Sequence, residues 1–203
     1  KKHLKGSEES LNLIDDQNSK NLVVSFINQS GEIVVLDEIW SVVSGGSTVL
    51  SEENSVSSIL FETVYMGKPV TKKLTFYHNS YEVDVAVNLG KIKESSLDEK
   101  YVLSWVGGLP EHEGSQDAMF MEGLVSQAGS IESFRVGAAG FFGSSNTKNI
   151  DEESKKYVGL VDFAGYRTKY FGVFFVPEKS DIVEVYKYPS TNRAGVDINI
   201  SQG

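Results

Sequence analysis

The chain has 203 residues, with 19 basic and 28 acidic side chains, a formal net charge of −9 and no cysteine. The missing thiols exclude disulfide scaffolds, cysteine-based zinc sites and thiol nucleophiles. Because phosphate-rich and lipid surfaces attract clustered Lys and Arg, we expect no nucleic-acid partner, and we expect the average surface to be repelled by an anionic membrane.

The first half of the chain alternates apolar and polar residues with a period of two, which is the pattern of half-buried β-strands. Residues 20–35 contain two such runs around an Asn-Gln-Ser-Gly turn, and residues 58–66 form the next run. The turn at residues 66–69 (Met-Gly-Lys-Pro) predicts a hairpin between that run and residues 72–76.

The clearest unit is a second hairpin, in which Leu74 and Phe76 precede a His-Asn-Ser turn. Apolar residues then recur at every second position: Tyr81, Val83, Val85, Val87 and Leu89. The alternate positions are Glu82, Asp84, Ala86 and Asn88. The short connection and the single apolar face predict antiparallel strands with one buried face and one solvated face.

The second half of the chain predicts further strands and two short helical segments. The strands are expected at residues 101–109, 130–137, 156–163, 170–177 and 181–188. Residues 95–101 and 149–157 each predict one or two helical turns, the second with Asp151 as N-cap. Because no amphipathic helix separates the strands, the chain is predicted to be all-β, one antiparallel sandwich over residues 1–203 with one or two short helices.

Residues 170–176 are apolar on both faces of the predicted strand. Phe171, Val173 and Phe175 face one way, and Tyr170 and Phe174 face the other. We expect a central strand whose Phe171 face is covered by a crossing segment such as residues 149–157, because burying three such side chains contributes roughly 5–8 kcal/mol. A strand that binds a partner is the alternative. The uncharged apolar run at residues 171–176 is much shorter than the ~18 residues of a spanning helix.

No motif predicts a catalytic or metal site. His3 lies in a terminal segment and His78 in a hairpin turn. Glu111, His112 and Glu113 resemble two metal ligands around a base, but a second histidine at workable spacing is missing. We interpret these three residues as a solvated acidic loop.

No motif predicts a cofactor site either. Residues 137–146 are glycine-rich but lack the lysine of a phosphate-binding loop, so they are interpreted as a turn with a buried Phe141–Phe142 pair. Trp105, Tyr166 and Tyr170 are of the kind that lines a sugar-binding groove. They are equally typical of a sandwich core.

Four segments follow one another in a recognisable order. A strand at residues 73–76 leads into the long alternating strand at residues 81–89, and residues 103–110 (Leu-Ser-Trp-Val-Gly-Gly-Leu-Pro) follow. A Tyr-Phe pair at residues 170–171 then opens a strand that ends at Pro177. This order resembles the large periplasmic domain of YidC-type membrane protein insertases. The resemblance spans residues 11–200 and is strongest after Val70.

The resemblance implies a β-supersandwich like that of the galactose mutarotases, without catalytic residues, cofactor or metal. It implies a non-catalytic, chaperone-like domain on the periplasmic side of the bacterial inner membrane that assists the insertion and folding of inner-membrane proteins. The implied partners are the domain's own transmembrane bundle, components of the Sec translocon and nascent membrane proteins. Because the chain lacks an initiating Met and a leader, we expect an excised fragment without its flanking transmembrane helices, tethered to the membrane in the full-length protein.

A carbohydrate-binding protein or an aldose epimerase is the alternative, because mutarotase-like sandwiches include sugar enzymes. Epimerisation needs a general base and a general acid that converge on one pocket. The three histidines are not placed for that chemistry, whereas sugar binding needs only an aromatic platform and hydrogen-bond donors.

Overall fold

The structure is a computed structural model and describes residues 3–4, 10–11, 20–36, 39–106, 108–110, 120–135, 154–180, 182–187 and 194–201. The strands within these ranges are β1 (His3–Leu4), β2 (Ser10–Leu11), β3 (Lys20–Ile27), β4 (Ile33–Val35), β5 (Ser41–Ser44), β6 (Val56–Tyr65), β7 (Lys68–Tyr77), β8 (Val83–Asn88), β9 (Lys100–Val106), β10 (Glu122–Gln127), β11 (Ser130–Arg135), β12 (Ser154–Val158), β13 (Phe163–Arg167), β14 (Gly172–Phe175), β15 (Ile182–Lys187) and β16 (Ala194–Ser201). Two short 3-10 helices cover Gly90–Ser95 and Leu97–Glu99. The described strands pair antiparallel, which confirms the predicted all-β antiparallel fold.

The chain forms two compact units, which we call the first unit (residues 27–99) and the second unit (residues 2–26 and 100–203). The first unit contains a sheet of strand order β5-β6-β7-β8. Tyr65 is opposite Lys68, and Phe76 is opposite Val83, so both predicted hairpins are confirmed. The expectation of one domain over residues 1–203 stays a prediction.

The β6–β7 hairpin turns on two residues, Met66 and Gly67, with φ angles of 50° and 73°. Two successive left-handed residues form a type I′ turn, whose twist matches that of the flanking strands. Asn followed by Gly is the favoured pair, because the Cβ of most other residues makes the left-handed backbone costly. Met66 therefore occupies a position that the turn itself does not favour.

One face of this sheet is apolar and half-buried. It is formed by Ile59, Phe61, Leu74, Phe76, Val85 and Val87. Polar residues such as Glu62, Thr71 and Lys73 lie on the opposite face, as strand alternation requires. Tyr81 and Val83 were expected on the buried face but are exposed, so burial along β8 begins only at Val85.

Lys72 lies in the middle of the apolar face, opposite Phe61 on β6 and Val87 on β8. Lys72 is 8% exposed, and its Nζ lies 4.3 Å from the ring centre of Trp40. Burial lowers the pKa of Lys72 to about 8, because the ammonium form loses hydration. The aromatic ring partly replaces that hydration through its negative face.

The connection from β8 to β9 holds the two 3-10 helices. Ile92 in the first helix is buried, and it fixes this connection to the first unit. Residues 95–101 were predicted to be helical; one 3-10 turn, Leu97–Glu99, lies within them, and β9 begins at Lys100. The prediction is therefore correct only for a single turn.

The second unit contains two sheets packed face to face. Five strands follow the order β12-β15-β16-β9-β3, and four follow the order β11-β10-β13-β14. The shared core includes Tyr157, Val183 and Val185 from the first of these sheets and Val125, Phe134, Ala164 and Tyr166 from the second. A Cβ on Gly123 would lie 2.3 Å from Cγ1 of Val185, so the sheets touch at this point. This packing is that of an antiparallel sandwich.

Sequence predictions about the local structure of residues 149–163 and of residues 170–176 are wrong. The single strand predicted at residues 156–163 is broken, because β12 ends at Val158 and β13 begins at Phe163. Residues 149–157 were predicted to be helical. The end of this segment instead belongs to strand β12 (Ser154–Val158), which pairs with β15. Tertiary pairing overrides the helix propensity of a short charged segment. Residues 149–153, including the expected N-cap Asp151, lie outside the described residues.

The second correction concerns residues 170–176. In the described part of the chain, β14 pairs with β13 alone and ends the four-stranded sheet, so it is not a central strand. Phe171, Val173 and Phe175 pack against the sandwich core. Tyr170 and Phe174, on the opposite face, are 58% and 44% exposed.

Candidate interaction surface

The residues considered for chemistry lie apart or outside the described ranges. Glu111, His112, Glu113 and residues 137–146 are not within those ranges. His78 lies in the β7–β8 turn, where its backbone N–H donates to the carbonyl of Ser55 over 2.7 Å. In the described part of the chain, no three His, Asp or Glu side chains are grouped so that they could hold a metal ion.

The three aromatic residues considered for a sugar groove do not form a common platform. Tyr166 is part of the second unit's core, and Trp105 packs against that core while its Nε1 donates to the Gly108 carbonyl over 3.4 Å. Tyr170 lies instead in the exposed β13–β14 turn. Two of the three rings therefore serve the sandwich core.

The solvent-facing side of the four-stranded sheet in the second unit is apolar along its centre. Strand alternation places Val125, Ala164 and Val173 in the core, so their neighbours face outward. We call the apolar part of this surface the outer apolar face. It is formed by Leu124, Ile131, Phe163, Phe174 and Val176. Ile131 and Val176 are largely exposed.

Phe174 is the centre of the outer apolar face. Its ring meets the ring of Phe163 edge to face, with centroids 5.7 Å apart. A Cβ on Gly165 would lie 2.7 Å from Cδ1 of Phe174, and a Cβ on Gly172 would lie 2.6 Å from Cε2. The two glycines therefore leave the space in which the ring of Phe174 lies against the sheet.

A buried ion pair borders this face. Glu122 on β10 is opposite Arg167 on β13, and Arg167 Nε donates to Glu122 Oε1 over 2.6 Å. A second contact joins Arg167 Nη2 to the same oxygen. The carboxylate is buried while the guanidinium remains half in water. Such a pair compensates a buried charge and fixes the register of the two strands.

The neighbouring Ser126 and Asp162 have a structural role. Ser126 Oγ donates to Asp162 Oδ2 over 2.9 Å, and the backbone N–H of Gly129 donates to the same oxygen over 3.2 Å. The backbone N–H of Asp162 in turn donates to the carbonyl of Ser126 over 2.8 Å. These bonds hold the β10–β11 turn in its conformation.

The free edge of β14 continues the outer apolar face. The backbone N–H of Thr168 donates to the carbonyl of Phe171 over 2.7 Å. Antiparallel hydrogen bonding alternates along a strand, so the peptide groups of Val173 face β13, and those of Gly172 and Phe174 face away from it. In the described residues no strand pairs with that side of β14. The edge can therefore accept an extended segment.

One cation lies at the beginning of this edge. The Nζ of Lys169 lies 4.7 Å from the ring centre of Tyr170 and 5.8 Å from that of Phe120. Both rings are exposed. Aromatic rings hold a lysine side chain in this way through cation–π attraction, so the turn presents apolar surface together with positive charge.

Three curated proteins match most of the chain. The membrane protein insertase YidC of Prosthecochloris aestuarii is 25% identical over 87% of this chain, and that of Chlorobaculum tepidum is 25% identical over 89%. The membrane protein insertase YidC of Chlorobium luteolum is 23% identical over 88%. The resemblance to YidC-type membrane protein insertases is confirmed.

The chain spans about 30% of the length of these YidC-type relatives. It matches no family profile. Among the helices of the described residues, none is long and apolar enough to cross a membrane. The similarity thus concerns one part of a YidC-type insertase.

The apolar segment that contains β14 could be predicted from the sequence, but the surface around it could not. Strand β10 was missed, since Gly123 and Ser126 interrupt its apolar alternation. The signal for an exposed aromatic ring was also present, because Gly165 and Gly172 flank Phe174 once the strands are paired. That pairing cannot be obtained without the register.

Proposed function

We propose that this chain is a non-catalytic interaction domain of a membrane protein insertase and lies on the periplasmic side of the bacterial inner membrane. The observation that carries the proposal is the similarity of almost nine-tenths of the chain to one part of YidC-type insertases. Its task is to assist the insertion and folding of inner-membrane proteins. Membrane tethering comes from the rest of the full-length protein.

The non-catalytic role is supported by how the polar groups near the exposed surfaces are used. Asp162 holds a turn, Glu122 is neutralised by Arg167, and His78 lies in a hairpin turn. A general acid–base pair must instead converge on a substrate within hydrogen-bond reach. A sugar enzyme is not favoured by any of these positions.

The contact surface in this proposal is the outer apolar face together with the free edge of β14. Backbone groups of Gly172 and Phe174 offer hydrogen bonds to an extended segment, and the rings of Phe163 and Phe174 offer apolar contact. Strand addition of this kind takes affinity from the main chain and selectivity from alternate side chains. Nascent membrane proteins, whose chains are apolar and unfolded before insertion, fit this surface. The domain's own transmembrane bundle and components of the Sec translocon are the other proposed partners.

The test is site-specific photo-cross-linking in the full-length protein that contains this chain. A photoreactive amino acid replaces Val176 at the end of the β14 segment, and the matched control replaces Ile33, since these side chains are 77% and 75% exposed. We expect a ribosome-bound inner-membrane protein to cross-link at Val176 and not at Ile33. Equal cross-linking at both positions, or none at Val176 during productive insertion, would refute the proposed surface.

A second measurement addresses the role itself. Phe174→Ser removes the central ring of the outer apolar face and leaves the sandwich core unchanged. We expect insertion of a membrane protein substrate to slow in the full-length protein with this variant, while the chain loses only about 1 kcal/mol of stability, because the ring contact with Phe163 is removed. Normal insertion together with lost glucose or galactose binding would favour the carbohydrate-binding alternative.

A further inference from the structure

One end of the first unit's sheet carries three exposed apolar side chains. Val64 and Met66 lie at the end of β6 and in the following turn, and they are 53% and 79% exposed. Ile39, which is 90% exposed, lies two residues before Ser41, and Ser41 is opposite Glu62 at the same end of the sheet. We call Ile39, Val64 and Met66 the apolar tip.

Met66 breaks the local rule of its turn. Its left-handed backbone favours Asn or Gly, and its side chain packs against little because it is mostly exposed. A second turn of this type among the described residues, at Ala128 and Gly129 with φ angles of 50° and 77°, has a small residue at the corresponding position. A large exposed apolar residue at a disfavoured backbone position indicates a contact outside the chain.

Positive charges lie beside the apolar tip. Lys68 follows the turn directly, and its Nζ donates to the carbonyl of Lys91 over 3.3 Å. Lys91 is exposed and belongs to the 3-10 helix that the buried Ile92 anchors. A Cβ on Gly90 would lie 3.1 Å from the carbonyl of Pro69, so this helix begins against the start of β7. The two lysines thus flank the turn in a chain whose formal net charge is −9.

We propose that the apolar tip inserts into the surface of a bilayer that contains anionic phospholipids, with Lys68 and Lys91 at the level of the phosphates. Apolar side chains that enter the acyl boundary gain free energy from burial, and lysines next to them gain from the negative surface potential. Long lysine side chains reach the phosphates while their methylene groups remain near apolar surface. The two lysines beside the Met66 turn contrast with the acidic average of the chain, whereas Asp37 and Glu38 directly precede Ile39 in the sequence.

We assign a membrane as the occupant because of the exposure and the neighbouring positive charge of the site. A bound peptide uses a groove or a sheet edge, whereas the apolar tip consists of three exposed apolar side chains at one end of a sheet, beside two lysines. Exposed apolar groups with neighbouring cations suit an anionic lipid surface. The inference rests on exposure, backbone conformation and charge, and it is independent of the proposed insertase function.

The test is flotation of the purified 203-residue chain with vesicles of phosphatidylcholine, alone or mixed with phosphatidylglycerol. We expect binding to the mixed vesicles, weaker binding to the neutral ones, and loss of the difference as salt is raised. Met66→Asn suits the turn, so the variant folds, and we expect its partition coefficient to fall about tenfold. Lys91→Gln is expected to lower it about fivefold.

Two matched controls separate the tip from general surface effects. Leu160→Asn removes a side chain of nearly the same exposure (78%) in the second unit, and Ala128→Asn makes the same turn substitution elsewhere. Both are expected to bind vesicles like the parent chain. Equal binding by parent and Met66→Asn chains, or no preference for phosphatidylglycerol, would overturn the proposal. So would a Met66-dependent contact with an apolar protein segment in the absence of vesicle binding.

Discussion

Replacing Lys72 by methionine tests whether the apolar face of the first unit's sheet holds a poorly hydrated ammonium group. Lys72 lies between Phe61 and Val87, with its Nζ over the ring of Trp40. Methionine keeps most of the apolar stem and removes the charge. We expect the Lys72→Met chain to be more stable than the parent at neutral pH.

The size of the expected stability difference between the two chains follows from the pKa of Lys72, which burial lowers from 10.5 to about 8. A fall of this size corresponds to roughly 3 kcal/mol of unfavourable free energy for the protonated folded state. Water that reaches this half-buried face reduces the penalty, so we expect a difference between the variant and the parent of about 2 kcal/mol.

The stability of the parent chain is expected to rise with pH over the range in which Lys72 titrates. Below pH 8 the lysine is protonated in both states, and the folded parent bears the full penalty. Between pH 8 and 10.5 the unfolded chain binds a proton that the folded chain does not, so the stability of the parent rises with pH. Above pH 10.5 the lysine is neutral in both states and the penalty disappears.

The assay is urea denaturation of parent and Lys72→Met chains at a series of pH values from 6.5 to 10.5, followed by circular dichroism. Burial also raises the pKa of Tyr101 and of Tyr157, and these tyrosines affect both chains alike in alkali. The difference between the two chains therefore isolates Lys72. If the two stability curves run parallel through this range, the lysine is well hydrated and the reasoning is refuted.

Three further predictions concern the second unit. Phe175→Asp is expected to destabilise the chain by more than about 3 kcal/mol, because Phe175 packs on the core. Phe174→Asp on the outward face is expected to cost less than about 1 kcal/mol. Equal melting temperatures of these two variants would contradict the assignment of the two faces. Gly123→Ala is expected to cost about 2 kcal/mol through its clash with Val185. Adding Val185→Ala to the Gly123→Ala chain should recover part of that loss. Strictly additive changes in stability in this double-mutant cycle would argue against contact between the two sheets at Gly123 and Val185. Ala128→Asn is expected to stabilise the chain by about 0.5 kcal/mol, measured as a higher urea midpoint, because Asn tolerates the left-handed backbone of the β10–β11 turn.

The hairpins could be predicted from the sequence because their information is local. The Met66–Gly67 turn and the alternation along β7 and β8 need no knowledge of distant residues. Strand β16 was missed although Val196, Ile198 and Ile200 alternate in the sequence. Its neighbours, β15 and β9, are what make it a strand within a sheet.

The candidate surface could not be predicted, because alternation shows that a strand has two apolar faces but not what covers each face. For β14 the inner face meets the sandwich core, and the outer face carries Phe174 into solvent. The position of Phe174 depends on pairing with Gly165, which is set by the register of β13 and β14. The pKa of Lys72 likewise depends on Phe61 and Trp40, which contact it only in the folded sheet.

The strand order of the second unit determines when the unit can complete its folding. Strand β9 lies between β3 and β16, since Ser25 is opposite Val102 and Ile198 is opposite Leu103. Both neighbours are distant from β9 in sequence, so closing this sheet carries a large loop entropy. When the chain emerges gradually from a ribosome or a translocation channel, the edge of β9 that pairs with β16 stays unpaired until Ser201 has emerged. During that interval the apolar side chains and the unpaired edge of β9 make the chain prone to aggregation. The pairing of β16 with β9 ends this interval.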